Sequence, residues 1–168
     1  SPYLPLNDLK NGEILHLPTG LKVNFDQMQN AISSSRVIYI GETHDNIEAH
    51  RAQLEIIEDL AKSFPGKISV GMEMFRRSAQ QNLNQWNKGE LSLGQFKNLF
   101  RKNWGNGYAL YKSIFEFLNK NHIPLIGLKS SKKTEDTFRG NDQTGQNDLP
   151  KIDFNDRYHR PFSMSIFG

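Results

Sequence analysis

Four side chains carry most of the chemistry that this sequence offers: Glu42, His44, His50 and Glu73. Glu42 and His44 follow directly on the apolar run "RVIYIG", and Glu73 lies in the run "KISVGMEMF". His50 comes six residues after His44 and shares a helical face with Ile47, Leu54 and Ile57, so it points inward. Two imidazoles and two carboxylates suit a divalent metal or general acid and base work. The plainer reading is a satisfied core histidine with carboxylates capping helix N-termini, where the dipole favours them. Burying all four without a partner or a purpose would cost several kcal/mol each, roughly the penalty for an unpaired charge in a low-dielectric interior.

Two further groups stand out. The loop and helix "NWGNGYALY" bring Trp104, Tyr108 and Tyr111 together; such spacing usually marks core, yet a tyrosine hydroxyl is a polar handle and its phenolate a hard oxygen ligand for ferric iron. The tail "NDRYHRPF" sets Tyr158 and His159 between Arg157 and Arg160, just after Asp153 and Asp156. Guanidiniums bind carboxylates and the histidine titrates near neutrality, so the tail reads as either solvated or functional. No phosphate loop, nucleotide-binding glycine pattern, HExxH helix or G-x-S-x-G elbow occurs in the sequence, which removes the commoner α/β enzyme readings.

The elements that must position these groups follow from hydrophobic period. "EILHL" and "LKVNF" flank Pro18-Thr19-Gly20 and predict a hairpin. Asn24 or Asp26 caps a helix over roughly residues 27–33, and a long amphipathic helix runs from 46 to 62, stopped by Pro65-Gly66. Helices are also predicted over "RSAQQNLNQWNKG", "SLGQFKNLFRK" with Ser92 as N-cap, and "YALYKSIFEFLNKN". "RVIYIG", "KISVGMEMF" and "IPLIGL" are continuous apolar runs of the kind found in strands covered on both faces. Strand, helix, strand, helices, strand describes an α/β fold, a parallel-type open sheet flanked by helices with a helical extension. Ligands in such sheets sit beyond the carboxyl ends of the strands, where Glu42, His44, Glu73 and Lys129 would all emerge.

With 168 residues the chain suits a single domain. A net charge of +3 with scattered Lys and Arg does not indicate a nucleic-acid footprint. No run approaches the roughly 18 apolar residues of a membrane span. The absence of cysteine excludes a disulfide framework, a thiolate metal site and a cysteine nucleophile. Residues 129–150 form a polar loop, with Phe138, Leu149 and Pro150 as its only apolar side chains.

"IGETHDNIEAHRAQLEIIEDL", "VGMEMFRRSAQQNLNQWNKGELS", "WGNGYALYKSIFEFLNKNHIPLIGLKSSKK" and "LPKIDFNDRYHRPF" together resemble the ChaN-like haem-binding lipoproteins, in the superfamily of the erythromycin esterases and Tiki metalloproteases. The resemblance covers roughly residues 36–168. It implies an iron-regulated outer-membrane lipoprotein of bacterial haem or iron uptake, a binding and transport protein more than an enzyme. It further implies ferric haem as cofactor, a homodimer around two haems, and an outer-membrane haem receptor as a further partner. A tyrosine of one subunit would hold each iron, and a histidine and a lysine of the other would hold the propionates. Carried onto this chain, the iron ligand is Tyr158 first, then Tyr108, with Tyr111 as a further candidate. His159 or His50, with Lys129 or Lys102, and Arg160 are the propionate candidates. Glu42, His44 and Glu73 mark the superfamily's pocket, and with His50 they carry the alternative, a metal-dependent hydrolase. The family's lipid-bearing cysteine is not in this chain, and the sequence stops in the apolar run "SMSIFG", as a truncated C-terminus would.

Overall fold

The computed structural model describes residues 9–132 together with 135 and 136. The chain divides into two compact units, Ser1–Lys129 and Ser130–Gly168. In the second, the described residues include Ser130, whose hydroxyl lies 3.3 Å from Glu135.

The first unit opens with the expected hairpin, β1 (Ile14–His16) antiparallel to β2 (Leu21–Val23). Gly20 turns the chain at φ 69° and donates its N–H to the His16 carbonyl at 2.9 Å. Helix α1 (Phe25–Ile32) starts from Asn24, which forms a reciprocal capping box with Gln27. Helix α2 (Ile47–Ser63) is capped by the Asn46 side chain, which accepts from Glu48 and Ala49. A short 3₁₀ turn (Arg77–Ala79) leads into α3 (Gln80–Asn87), and Gly89 breaks the chain after it at φ 74°. Helix α4 (Leu93–Asn103) begins with the Ser92–Gln95 capping box, and α5 (Tyr108–Lys120) begins at Gly107, in the left-handed region.

The central sheet is smaller than the apolar runs suggest. Strand β3 (Val70–Arg76) pairs in parallel with β4 (Leu125–Lys129), Val70 opposite Leu125 and Met72 opposite Gly127. The next partners are Arg76 and Lys129, so β3 bulges between Met72 and Arg76. The bulge turns Met74 and Phe75 inward in succession, with Phe75 fully buried. It also drives the chain against Gly127, where a Cβ would lie 2.6 Å from the Arg76 carbonyl oxygen.

Two expectations fail here. Residues 36–41 form no strand, and Val37 and Tyr39 are exposed by 65% and 92%. Among the described residues, helices also cover only one face of the sheet: Met72, Met74, Leu125 and Gly127 are buried, while Gly71, Glu73, Ile126 and Leu128 are exposed. The alternation is that of a sheet with one covered face, so an apolar run alone did not specify its cover.

The edge of β4 is closed by side-chain amides. Gln80 donates to the Leu125 carbonyl at 3.1 Å and accepts from the Gly127 N–H at 3.0 Å, while Asn87 accepts from the Leu125 N–H at 3.3 Å. On the covered face the core is aromatic. Phe75 meets Phe96, Phe100 and Phe115 with ring centroids 5.7–5.9 Å apart, and Trp86 stacks on Phe96 at 4.0 Å. Each fully buried ring is worth roughly 1.5–3 kcal/mol over leaving it in water. That core fixes α4 and α5, which in turn carry the residues that reach the site.

Candidate functional site

The site is assembled around Glu42. The segment before it has no sheet to hold it, and the carboxylate is instead fastened by side chains from two helices. Tyr111, on the buried face of α5, donates its hydroxyl to Glu42 Oε1 at 2.6 Å. His44 Nδ1 reaches the same oxygen at 2.7 Å. From α2, His50 Nδ1 lies 3.1 Å from Glu42 Oε2, and its Nε2 lies 3.1 Å from the His44 carbonyl. Gln53 Oε1 stands 3.3 Å from His50 Nδ1. The His50 and Tyr111 rings pack with centroids 4.3 Å apart.

Burial and charge follow from this arrangement. The Glu42 side chain is only 6% exposed, His50 2% and Tyr111 1%. Burial pushes the Glu42 carboxyl up, but hydrogen bonds from Tyr111, His44 and Gln53 and the His50 charge outweigh it and hold the group below the ordinary carboxylate value. His44 is moved the other way, upward, by its hydrogen bond to Glu42 against a smaller desolvation, with the charges of Glu42, Glu73 and Asp45 adding. Burial first, then the hydrogen bond to Glu42, drives the Tyr111 phenol far above its usual range. Tyr111 is therefore a fixed neutral donor.

Glu73 projects from the exposed face of β3, and its Oε1 lies 3.5 Å from His44 Nε2. Glu42, His44 and Glu73 thus offer three ligand atoms within 4.8 Å of one another. This donor set fits a divalent cation, which would take the place of the proton that His44 shares with Glu42. His50 stands behind it, orienting Glu42. The three groups do come together, but not as strand ends: residues 36–41 form no strand, and Glu73 lies in the middle of β3 rather than beyond its end.

Trp104, at the C-cap of α4, extends the site. Its indole meets the His44 ring edge-on at 5.0 Å, and the Lys129 ammonium stands 5.4 Å from the indole centroid. The tryptophan was visible in "NWGNGYALY", but nothing in that pattern assigned it to a position between a histidine and a lysine.

The remaining candidates fall elsewhere. Tyr108 is half-buried, its hydroxyl has no hydrogen-bond partner, and burial with the nearby Glu116 charge raises its pKa. Lys102 is exposed on the last turn of α4. Tyr158, His159 and Arg160 lie outside the described residues. Among the described residues no helix is long and apolar enough to cross a membrane.

No curated protein sequence matches the chain. A solved structure titled "Cofacial heme binding to ChaN of Campylobacter jejuni" is similar in fold, with TM-score 0.66 and 19% identity. The match covers 93% of this chain and 64% of that one, so the chain spans somewhat under two-thirds of its relative's length. The family model described as haem-binding uptake, Tiki superfamily, ChaN matches residues 28–161. The chain belongs to that ChaN family of haem-binding uptake proteins within the Tiki superfamily.

Proposed function

We propose that the protein binds ferric haem through a tyrosine oxygen, between two copies of the chain, as a lipid-anchored component of haem or iron uptake in the bacterial envelope. The observation that carries this reading is the family match across residues 28–161. The cofacial haem named for the Campylobacter jejuni relative supports the paired arrangement. The chain's own residues suit the ligand: an indole flanked by a histidine edge and a lysine ammonium offers an aromatic surface with a cation at its rim. A flat apolar plate bearing two carboxylates is complementary to such a surface. Haem supplies a ferric centre whose axial position a phenolate oxygen can fill. Tyr111 is spoken for by Glu42, which leaves Tyr158 first and Tyr108 second as iron ligand. Lys129 is the favoured propionate partner.

Adding haemin to the purified protein should give a high-spin ferric spectrum with a tyrosinate charge-transfer band, lost in Tyr158→Phe or Tyr108→Phe. If neither change alters the spectrum, the ligand assignment fails; if haemin does not bind, the function itself does. Size-exclusion chromatography with and without haemin tests the dimer.

The cluster of Glu42, His44 and Glu73 favours a second reading, a metal-dependent hydrolase. A divalent cation held there would supply Lewis acidity, while Tyr111 and His50 keep Glu42 in place. Stoichiometric zinc or manganese, lost in His44→Ala, supports it; no measurable metal binding removes it.

A further inference from the structure

A second polar site lies at the junction of α4 and α5, lined by residues that, Tyr108 apart, the reading above does not use. A crevice of about 200 Å³ opens there, with Lys97, Asn98, Arg101, Gly105, Gly107 and Tyr108 among its walls. We propose that this crevice is a binding site for a small oxyanion, a phosphate or carboxylate group.

Charge is the first argument. Lys97 and Arg101 sit one turn apart on α4, and among the described residues neither forms an ion pair. Lys97 rests its ammonium 5.3 Å from the Tyr108 ring centroid, and Arg101 donates only to Asn98 Oδ1, at 3.0 Å. No acidic residue lines the crevice. Glu116, whose charge is felt at Tyr108, is itself 3.5 Å from Lys112. Two cations one turn apart repel each other, and an anion between them relieves that repulsion while gaining charge-assisted hydrogen bonds.

The second argument is a backbone suited to close approach. Gly105 and Gly107 both adopt positive φ, 108° and 96°, and α5 begins at Gly107 with no side chain capping its first N–H groups.

Size selects the ligand. A volume of about 200 Å³ is room for roughly six or seven waters at about 30 Å³ each. It is below the roughly 300–1,000 Å³ of pockets that enclose larger molecules. A phosphate, a short carboxylate or a single carboxylate arm of a larger molecule fits; a porphyrin plate does not.

The test uses the whole chain, labelled with nitrogen-15. Titration with inorganic phosphate and, separately, propionate should shift the amides of Gly105, Asn106 and Gly107 saturably, with a Kd at or below the millimolar range. Lys97→Met with Arg101→Met should weaken binding about tenfold or more. Lys112→Met, on α5, should leave it unchanged. Lys97, Arg101 and Lys112 are all exposed, so the doubly substituted protein retains its fold. A parallel arm compares haemin with its dimethyl ester. If the crevice receives a carboxylate of haem, the double substitution weakens haemin and spares the ester; if it receives a free anion, phosphate binds without displacing haemin. The absence of a saturable amide shift with either anion, or shifts that persist in the double variant, overturns the proposal. Neither anion titration depends on haem binding, so its outcome stands apart from that of the function proposed above.

Discussion

Replacing Tyr111 with phenylalanine removes one oxygen and keeps the ring. The contacts with His50 at 4.3 Å and Phe100 at 5.8 Å therefore survive, and the loss isolates the hydroxyl. That hydroxyl donates at 2.6 Å to a carboxylate whose side chain is 6% exposed. Glu42 keeps His44 and His50, so it is weakened rather than orphaned. A hydrogen bond to a charged acceptor is worth roughly 1.5–3 kcal/mol, which for a chain of this size lowers Tm by about 3–12 °C. Urea unfolding at pH 7, followed by circular dichroism, measures the change. The cost should shrink as pH falls through the depressed pKa of Glu42, because a protonated carboxyl no longer needs the donor. Combining Tyr111→Phe with Glu42→Gln should reveal coupling between the two sites, with less than additive loss. A Tyr111→Phe change within about 0.5 kcal/mol of the parent at pH 7, the range of an ordinary surface substitution, would refute the claim that Tyr111 holds Glu42.

Other outcomes follow from neighbouring features. The elevated pKa of His44 means that its protonated form stabilises the fold below the unfolded value of 6.5, and this contribution disappears as pH rises through the folded pKa. Glu42 contributes above its unfolded value of 4.5 and loses its share as pH falls through its lowered pKa. The pair is thus strongest between these values, and His44→Ala should lower Tm more at pH 5.5 than at pH 9, a difference that thermal melts at both pH values will register. Gly127→Ala would place a methyl 2.6 Å from the Arg76 carbonyl oxygen. Overpacking against backbone should cost about 1–3 kcal/mol in denaturant midpoint, with little change in slope.

How much of this was legible in the sequence depended on how local the signal was. The helices α2 and α4 could be read because the apolar spacing of each is helical and, for α4, because Ser92 is a strong cap. The hairpin was equally local. "VIYI" misled because an apolar run records only that a segment tolerates burial, and the neighbour that would bury it is supplied by tertiary structure. The convergence of Glu42, His44 and Glu73 survived that error, because Glu42 is anchored by a tyrosine 69 residues away rather than by a ladder. Tyr111 itself was weighed as core and as an iron ligand; its part as the donor to Glu42 depends on a helix packing that spacing does not encode. Trp104 and Gln53 joined the site through the same long-range packing.

The amide of Gln80 has a consequence for how the sheet can grow. By donating to Leu125 and accepting from Gly127, it imitates the backbone of an adjacent strand, and Asn87 extends the imitation by one bond. Another chain approaching β4 finds those hydrogen-bonding groups already taken. The β4 side of the sheet is thereby sealed, a safeguard against edge-to-edge aggregation achieved with two side chains from a single short helix.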